Sequence, residues 1–334
     1  MRRHILWAAE RKCMMRYPTL FLFLLVVCFV RLQAYAQTPD SAFRYCQEGE
    51  KEMKKGDWIA AVEDFTRAIE ISSHLSPAKA RRKQRTSTNR FDDLESDSSE
   101  ITVIDPFTSN AYTNRGIAYS YLKDFDAAIA DYDRALRIKP NLAGAYLARG
   151  SARVAKGEMD RALLDFDRAL AIDKRMVEAY NNRGALRHDL GDIDGAMADL
   201  NQAISINPKL PEAYFHRGYV LIEKKDIDGA MNDFNRALEL KPAFPWAYQG
   251  RGTSLMHKGK MDLAVKDFSR ALELDPDLAA AYGNRALALI ALGKETEALT
   301  DIEKCIKLKP ELKIDFQSRI ELAKKIQVNK TRAH

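Results

Sequence analysis

From residue 109 to 312 small and apolar positions return at one fixed interval of 34 residues. An Ala-Tyr pair with an arginine three residues after the tyrosine stands at Ala111, Ala145, Ala179, Ala213, Ala247 and Ala281. Glycine follows at 49, 116, 150, 184, 218 and 252, with Ala286 closing that series. Alanine recurs at 61, 128, 162, 196, 230, 264 and 298, and an aromatic or aliphatic residue four positions after each. A second alanine column runs from Ala68 to Ala271, and Cys305 takes its last place. Within one unit Tyr180, Gly184 and Arg187 share a helical face at i, i+4 and i+7, as do Ala196, Leu200 and Ala203 further on. Gly157, Gly191, Gly259 and Gly293 lie between the two runs, where a left-handed residue ends a helix, and proline at 140, 208, 242, 276 and 310 ends most units. The pattern predicts pairs of antiparallel helices. One pair cannot bury its own apolar stripe, so the units must stack.

These columns closely resemble the tetratricopeptide repeat, a 34-residue helix-turn-helix unit with an aromatic and a glycine on its first helix and Ala, Phe, Ala, Pro on its second. The resemblance implies an all-α, right-handed α-solenoid of about seven units at 42–75, 109–142, 143–176, 177–210, 211–244, 245–278 and 279–312. A capping helix at 313–328 continues the register, with Phe316 in the tyrosine column and Arg319 in the arginine column, before a short tail at 329–334. The first unit keeps Gly49, Gly56, Ala61, Phe65 and Ala68 but carries Glu48 where the others have arginine. Between it and the second unit, residues 76–108 form a basic cluster followed by an acidic, serine-rich one. That composition reads as a solvated insertion without a core, open to a partner-binding role.

Before the repeats, a basic stretch ending at Arg16 leads into the apolar run LFLFLLVVCFV (Leu20–Val30) and then RLQAYA. Ala34 and Ala36 offer an A-x-A cleavage site, and the run is shorter than the roughly 20 residues of a spanning helix. Residues 1–36 therefore read as a secretory signal, with an uncleaved anchor as the alternative and Met1, Met14 and Met15 as competing starts. The expectation is export to a periplasmic or extracellular site, a bacterial envelope being preferred. Subtracting the segment's six basic and one acidic side chains from 53 and 47 leaves 47 and 46. The remaining chain is nearly neutral, which argues against a nucleic-acid partner and leaves membrane contact to the uncleaved signal alone. Only Cys46 and Cys305 remain, too few and too far apart for a disulfide framework.

Two charged columns interrupt the small and apolar pattern. Arginine fills positions 115, 149, 183, 217, 251, 285 and 319; aspartate fills 64, 131, 165, 199, 233, 267 and 301. The first unit has the aspartate without the arginine, and the terminal helix the reverse. This offset predicts pairing between repeats: Asp64 with Arg115, Asp131 with Arg149, Asp165 with Arg183, Asp199 with Arg217, Asp233 with Arg251, Asp267 with Arg285 and Asp301 with Arg319. The alternative is two unrelated solvent-facing columns.

No glycine-rich phosphate loop, CxxC pair or HExxH occurs, and the histidines show no ligand spacing. Neither a catalytic centre nor a cofactor or metal site is expected. The resemblance implies protein or peptide binding on a concave surface lined by the first helices. Opposite the face of Tyr180 and Gly184, the wheel places Glu178, Asn181, His188 and Asp189; Tyr121, Leu147, Glu212, Phe215, Tyr219, Glu223, Trp246, Gln249 and Met256 are among the equivalents. Carboxylates beside aromatics favour an extended ligand with basic residues. The competing reading is that the aromatics cover neighbouring helices. The chaperone-tail-binding subfamily fits poorly, because Thr113, Leu147 and Asn181 stand where its clamp would want lysine. The reading is thus a non-catalytic interaction scaffold, with a self-assembling envelope component or a non-catalytic enzyme subunit as alternatives.

Overall fold

A computed structural model of the chain describes residues 39–75 and 106–310. The signal at 1–36, nearly all of the 76–108 insertion, the 313–328 cap with Arg319, and the tail lie outside the described residues. The chain divides at Ile172 and Asp173 into two compact units. The first holds α1 (Pro39–Lys55), α2 (Trp58–Leu75), α3 (Pro106–Tyr121), α4 (Phe125–Ile138), α5 (Ala143–Ala155) and α6 (Met159–Ile172). The second holds α7 (Val177–Asp189), α8 (Ile193–Ile206), α9 (Pro211–Glu223), α10 (Ile227–Leu240), α11 (Pro245–His257), α12 (Met261–Leu274), α13 (Ala279–Ala291) and α14 (Glu295–Leu308). Among the described residues there is no strand, and no helix is long and apolar enough to cross a membrane.

Local chemistry sets the boundaries. Asp124, Asp192 and Asp226 cap the second helices of their repeats by accepting the backbone N–H groups of Ala127, Gly195 and Gly229 at 3.1, 3.0 and 2.9 Å. Such a cap stabilises by about 1 kcal/mol. Gly157, Gly191, Gly259 and Gly293 all take positive φ in the turn between helices, as their spacing predicts; Lys123 and Lys225 adopt the same conformation without glycine.

Packing follows the columns. Ala196, Leu200 and Ala203 are fully buried, and so are Ala230, Phe234 and Ala237 one repeat later. The first helix comes so close that a Cβ at Gly218 would stand 2.8 Å from the Phe234 ring. Phe234 also reaches forward: a Cβ at Gly250, on the first helix of the following repeat, would stand 2.4 Å away. In each unit the first helices additionally pack on one another, α3 on α1 and α5 in the first, α9 on α7, α11 on α9 and α13 on α11 in the second. First helices therefore line the inner side of each stack. The second helices form its outer layer.

Candidate functional site

The arginine column is half-buried and paired, but not as the offset predicts. Arg217 donates through Nε and Nη2 to both carboxylate oxygens of Asp233, at 2.7 and 2.8 Å. The same fork joins Arg115 to Asp131, Arg149 to Asp165, Arg183 to Asp199, Arg251 to Asp267 and Arg285 to Asp301. Each pair lies within one repeat. The expected links from Asp64 to Arg115, Asp131 to Arg149, Asp165 to Arg183, Asp199 to Arg217, Asp233 to Arg251 and Asp267 to Arg285 are therefore corrected, and Arg319 lies outside the described residues.

The reason is geometric. In an antiparallel hairpin, residues equally far from the turn face each other, and Arg217 and Asp233 each stand eight positions from Lys225. The arginine does join repeats, through its remaining nitrogen. Nη1 of Arg115, Arg149, Arg217, Arg251 and Arg285 reaches Thr66, Asp133, Asn201, Asn235 and Ser269 of the preceding repeat at 2.5 to 2.9 Å. Each of these acceptors lies two residues after that repeat's aspartate. A tyrosine three residues earlier lies over the guanidinium, as Tyr214 does for Arg217 at 5.6 Å. Hydrogen bonding to Asp233, acting against burial, holds the Arg217 guanidinium above its ordinary value.

The first repeat shows what happens without the arginine. Burial, followed by the charge of Glu48, raises the Asp64 carboxyl above its ordinary value, and Arg67 at 3.9 Å only partly offsets this. A carboxyl raised on folding favours stability at low pH, and that contribution is lost as pH rises through its folded value. Glu48→Arg is expected to supply the missing fork and to raise stability at pH 7 by about 1 kcal/mol, the gain disappearing below about pH 4. Thermal melts at the two pH values check it. An equal gain at both would show that the charge pair is not its origin.

On the inner face the expected residues have different fates. Tyr121 and Leu147 belong to the first unit, and the Tyr121 ring is stacked on Trp58 with centroids 3.8 Å apart. The other eleven belong to the second. Phe215 and Tyr219 are half-buried, forming one aromatic cluster with Phe234 and Phe244 at ring separations of 5.1 to 6.4 Å. Burial pushes the Tyr219 phenol up to about 12. They are mainly floor, so the competing reading of these aromatics holds in large part. Trp246 remains 46% exposed, and Met256 is half-buried.

Asn181 and Gln249 occupy the same column two repeats apart and are each 8% exposed. The Asn181 amide donates to Asn182 at 3.2 Å and the Gln249 amide to Tyr219 at 3.4 Å, while both amide oxygens lack a hydrogen-bond partner. Leaving a buried amide oxygen without a donor is costly. His188 Nε2 stands 3.0 Å from Glu223 and Nδ1 3.8 Å from Asp189, ion-pair distances without hydrogen-bond geometry. Glu212 is held by Lys241 at 2.9 Å, and Glu178 is exposed. His216, missed by sequence reasoning because it falls one residue past the expected face, is pushed down to about 4. Burial is the main cause and His188 adds to it, against Asp189 and Glu212. No group of three or more histidine, cysteine or acidic side chains arranged to hold a metal occurs among the described residues.

Family models described as tetratricopeptide repeat match residues 109–142, 245–278 and 279–312, and one described as TPR repeat matches 185–224 and 218–259. The chain is a tetratricopeptide-repeat protein. A tetratricopeptide repeat protein from Parabacteroides merdae shares the fold at a TM-score of 0.59 and 19% identity, over 85% of this chain and 99% of that one. A chain of the APC/C hetero-tetramer Cut9-Hcn1 aligns at a TM-score of 0.61 and 17% identity, over 80% of this chain and 52% of the other. Heat shock protein STI1 of Saccharomyces cerevisiae is 34% identical over 99 residues, which span 29% of this chain and 17% of that protein. A tetratricopeptide-repeat chain is in general a protein-interaction scaffold, and its fold is generally non-catalytic.

Proposed function

We propose that the chain binds a protein partner through an extended segment laid along the inner face of the second unit, over α7, α9 and α11. The observation that carries this is the pair of buried, half-satisfied amides at Asn181 and Gln249, beside the exposed indole of Trp246. An extended segment brings a backbone N–H at every residue, which either amide oxygen would accept once its side chain turns towards the open face. Tryptophan is among the residue types enriched at positions that dominate binding energy. The N-terminal pattern supports an exported setting as part of the same proposal.

The test is cross-linking and co-purification of the full chain from its native extract, comparing the wild type with Trp246→Ala and with Leu263→Ala on outer helix α12. Trp246→Ala is expected to weaken recovery of a specific partner about tenfold or more, with Leu263→Ala unchanged. Loss with the outer variant alone would move the site to the outer layer. A chain whose mass rises with concentration and which recovers only itself would favour self-assembly.

A further inference from the structure

The inner face of the second unit is polarised in charge. Glu178, Asn181, Ala185, His188 and Asp189 of α7 and their equivalents 34, 68 and 102 residues further on, on α9, α11 and α13, include no lysine or arginine. The carboxylates Glu178, Asp189, Glu212 and Glu223 all fall on α7 and α9. The apolar positions at the other end include Trp246, Met256 and Leu287, on α11 and α13.

We propose that this face takes a peptide in one orientation, its cationic half over α7 and α9 and its apolar half over α11 and α13. The inference rests on the inner-face reading above and adds the composition and direction of the ligand.

Several observations converge on a cation at the α7–α9 end. Asp189 and Glu223 are the last residues of their helices, 71% and 51% exposed, so the negative ends of two helix dipoles add to their charge. His188 lies between the two carboxylates, and one imidazolium would still leave negative charge in excess. His216 is held neutral by burial at working pH and contributes no positive charge. The neighbouring Lys224 is turned away to Asp194 on the outer layer, at 2.8 Å. With Glu212 occupied by Lys241, the acidic end is centred on Glu178, Asp189 and Glu223.

The amides set the scale. Neighbouring helices lie about 8–10 Å apart, so Asn181 and Gln249, two first helices apart, are separated by about 16–20 Å. An extended chain covers that in about five or six residues. A segment of about a dozen residues therefore reaches from the acidic end, across both amides, to the apolar end.

Calorimetric titration of the full chain with three synthetic peptides of about a dozen residues tests this. One has a lysine- and arginine-rich half followed by a leucine- and methionine-rich half, the second replaces its basic residues by glutamate, and the third alternates the same residues along its length. The first is expected to bind at least tenfold tighter than either other. Its affinity should fall as salt rises from about 50 to about 500 mM, as screening requires. Asp189→Asn with Glu223→Gln, near-isosteric changes at exposed positions, should weaken it about tenfold while helicity is unchanged. Equal binding of the glutamate peptide, or no change in that double variant, would overturn the proposed polarity. If charge is irrelevant but Trp246→Ala still weakens binding, the inner-face reading survives alone. If Trp246→Ala changes nothing for any peptide, that reading falls with it.

Discussion

Asp233→Ala should lower the unfolding free energy by about 3–5 kcal/mol, because it leaves the Arg217 guanidinium half-buried without its carboxylate. The fork sits between two helices, with the carboxylate almost fully buried and the Arg217 guanidinium against the Tyr214 ring. Arg217→Leu should cost a similar amount, now through an uncompensated buried carboxylate. Arg217→Leu combined with Asp233→Leu should cost much less than the two single changes together, a coupling of roughly 5 kcal/mol or more. Apolar residues of similar volume can replace a buried ion pair with little net loss, since the cost of desolvating both charges disappears with them. The control is Arg217→Leu with Asp199→Leu, whose effects should add within about 0.5 kcal/mol. Urea unfolding of the four single and two double variants decides it. Coupling to Asp199 in place of Asp233 would restore pairing between repeats.

That cycle also marks where the sequence stopped being legible. The 34-residue period, the glycine and alanine columns and the positive-φ turn glycines were all readable, because each depends on local geometry repeated several times. The partner of Arg217 was not readable from column membership, since Asp199 and Asp233 belong to the same column. The missing signal was the symmetry of the hairpin about Lys225. It was present in the sequence and needed only the antiparallel arrangement to be applied to side chains as well as backbones. The coupling between repeats rests instead on a quieter column, Thr66, Asp133, Asn201, Asn235 and Ser269, whose varied residue types share only the ability to accept a hydrogen bond.

The inner face was legible by position and misleading by exposure. A helical wheel places Phe215 and Tyr219 on the open side of α9, but it cannot show that Phe234 and Phe244 pack against them and leave them half-buried. Nor does it distinguish an amide that is satisfied from one that is not. Asn181 and Gln249 differ from their surroundings only in what lies within hydrogen-bond reach. Trp246, by contrast, sits on the first turn of α11 directly after Pro245, with its ring left exposed.

Phe234→Ala is the second large effect expected, about 3–5 kcal/mol. The ring is fully buried, and the backbones of two neighbouring helices have adapted to it. Gly218 removes the Cβ that would collide with it from its own repeat, and Gly250 removes the one from the next. Gly218 and Gly250 offer no side chain to fill the space, so any collapse falls to the adjoining Tyr219 and Phe215 rings, and the cost should stay within that range. Phe234→Leu should recover a large part of the loss, because Leu200 fills the equivalent position one repeat earlier. The consequence reaches the binding face, since the Tyr219 ring stands 5.4 Å and the Phe215 ring 6.4 Å from Phe234, and Gln249 hydrogen-bonds to Tyr219. Phe234→Leu should therefore weaken partner binding by several-fold at a temperature where the chain stays folded, whereas Phe268→Leu, one repeat further on, should destabilise comparably and leave binding nearer to wild type. Denaturant unfolding and titration of the two variants side by side separate the effects. Equal losses of binding would mean that the aromatic floor under α9 supports the fold alone.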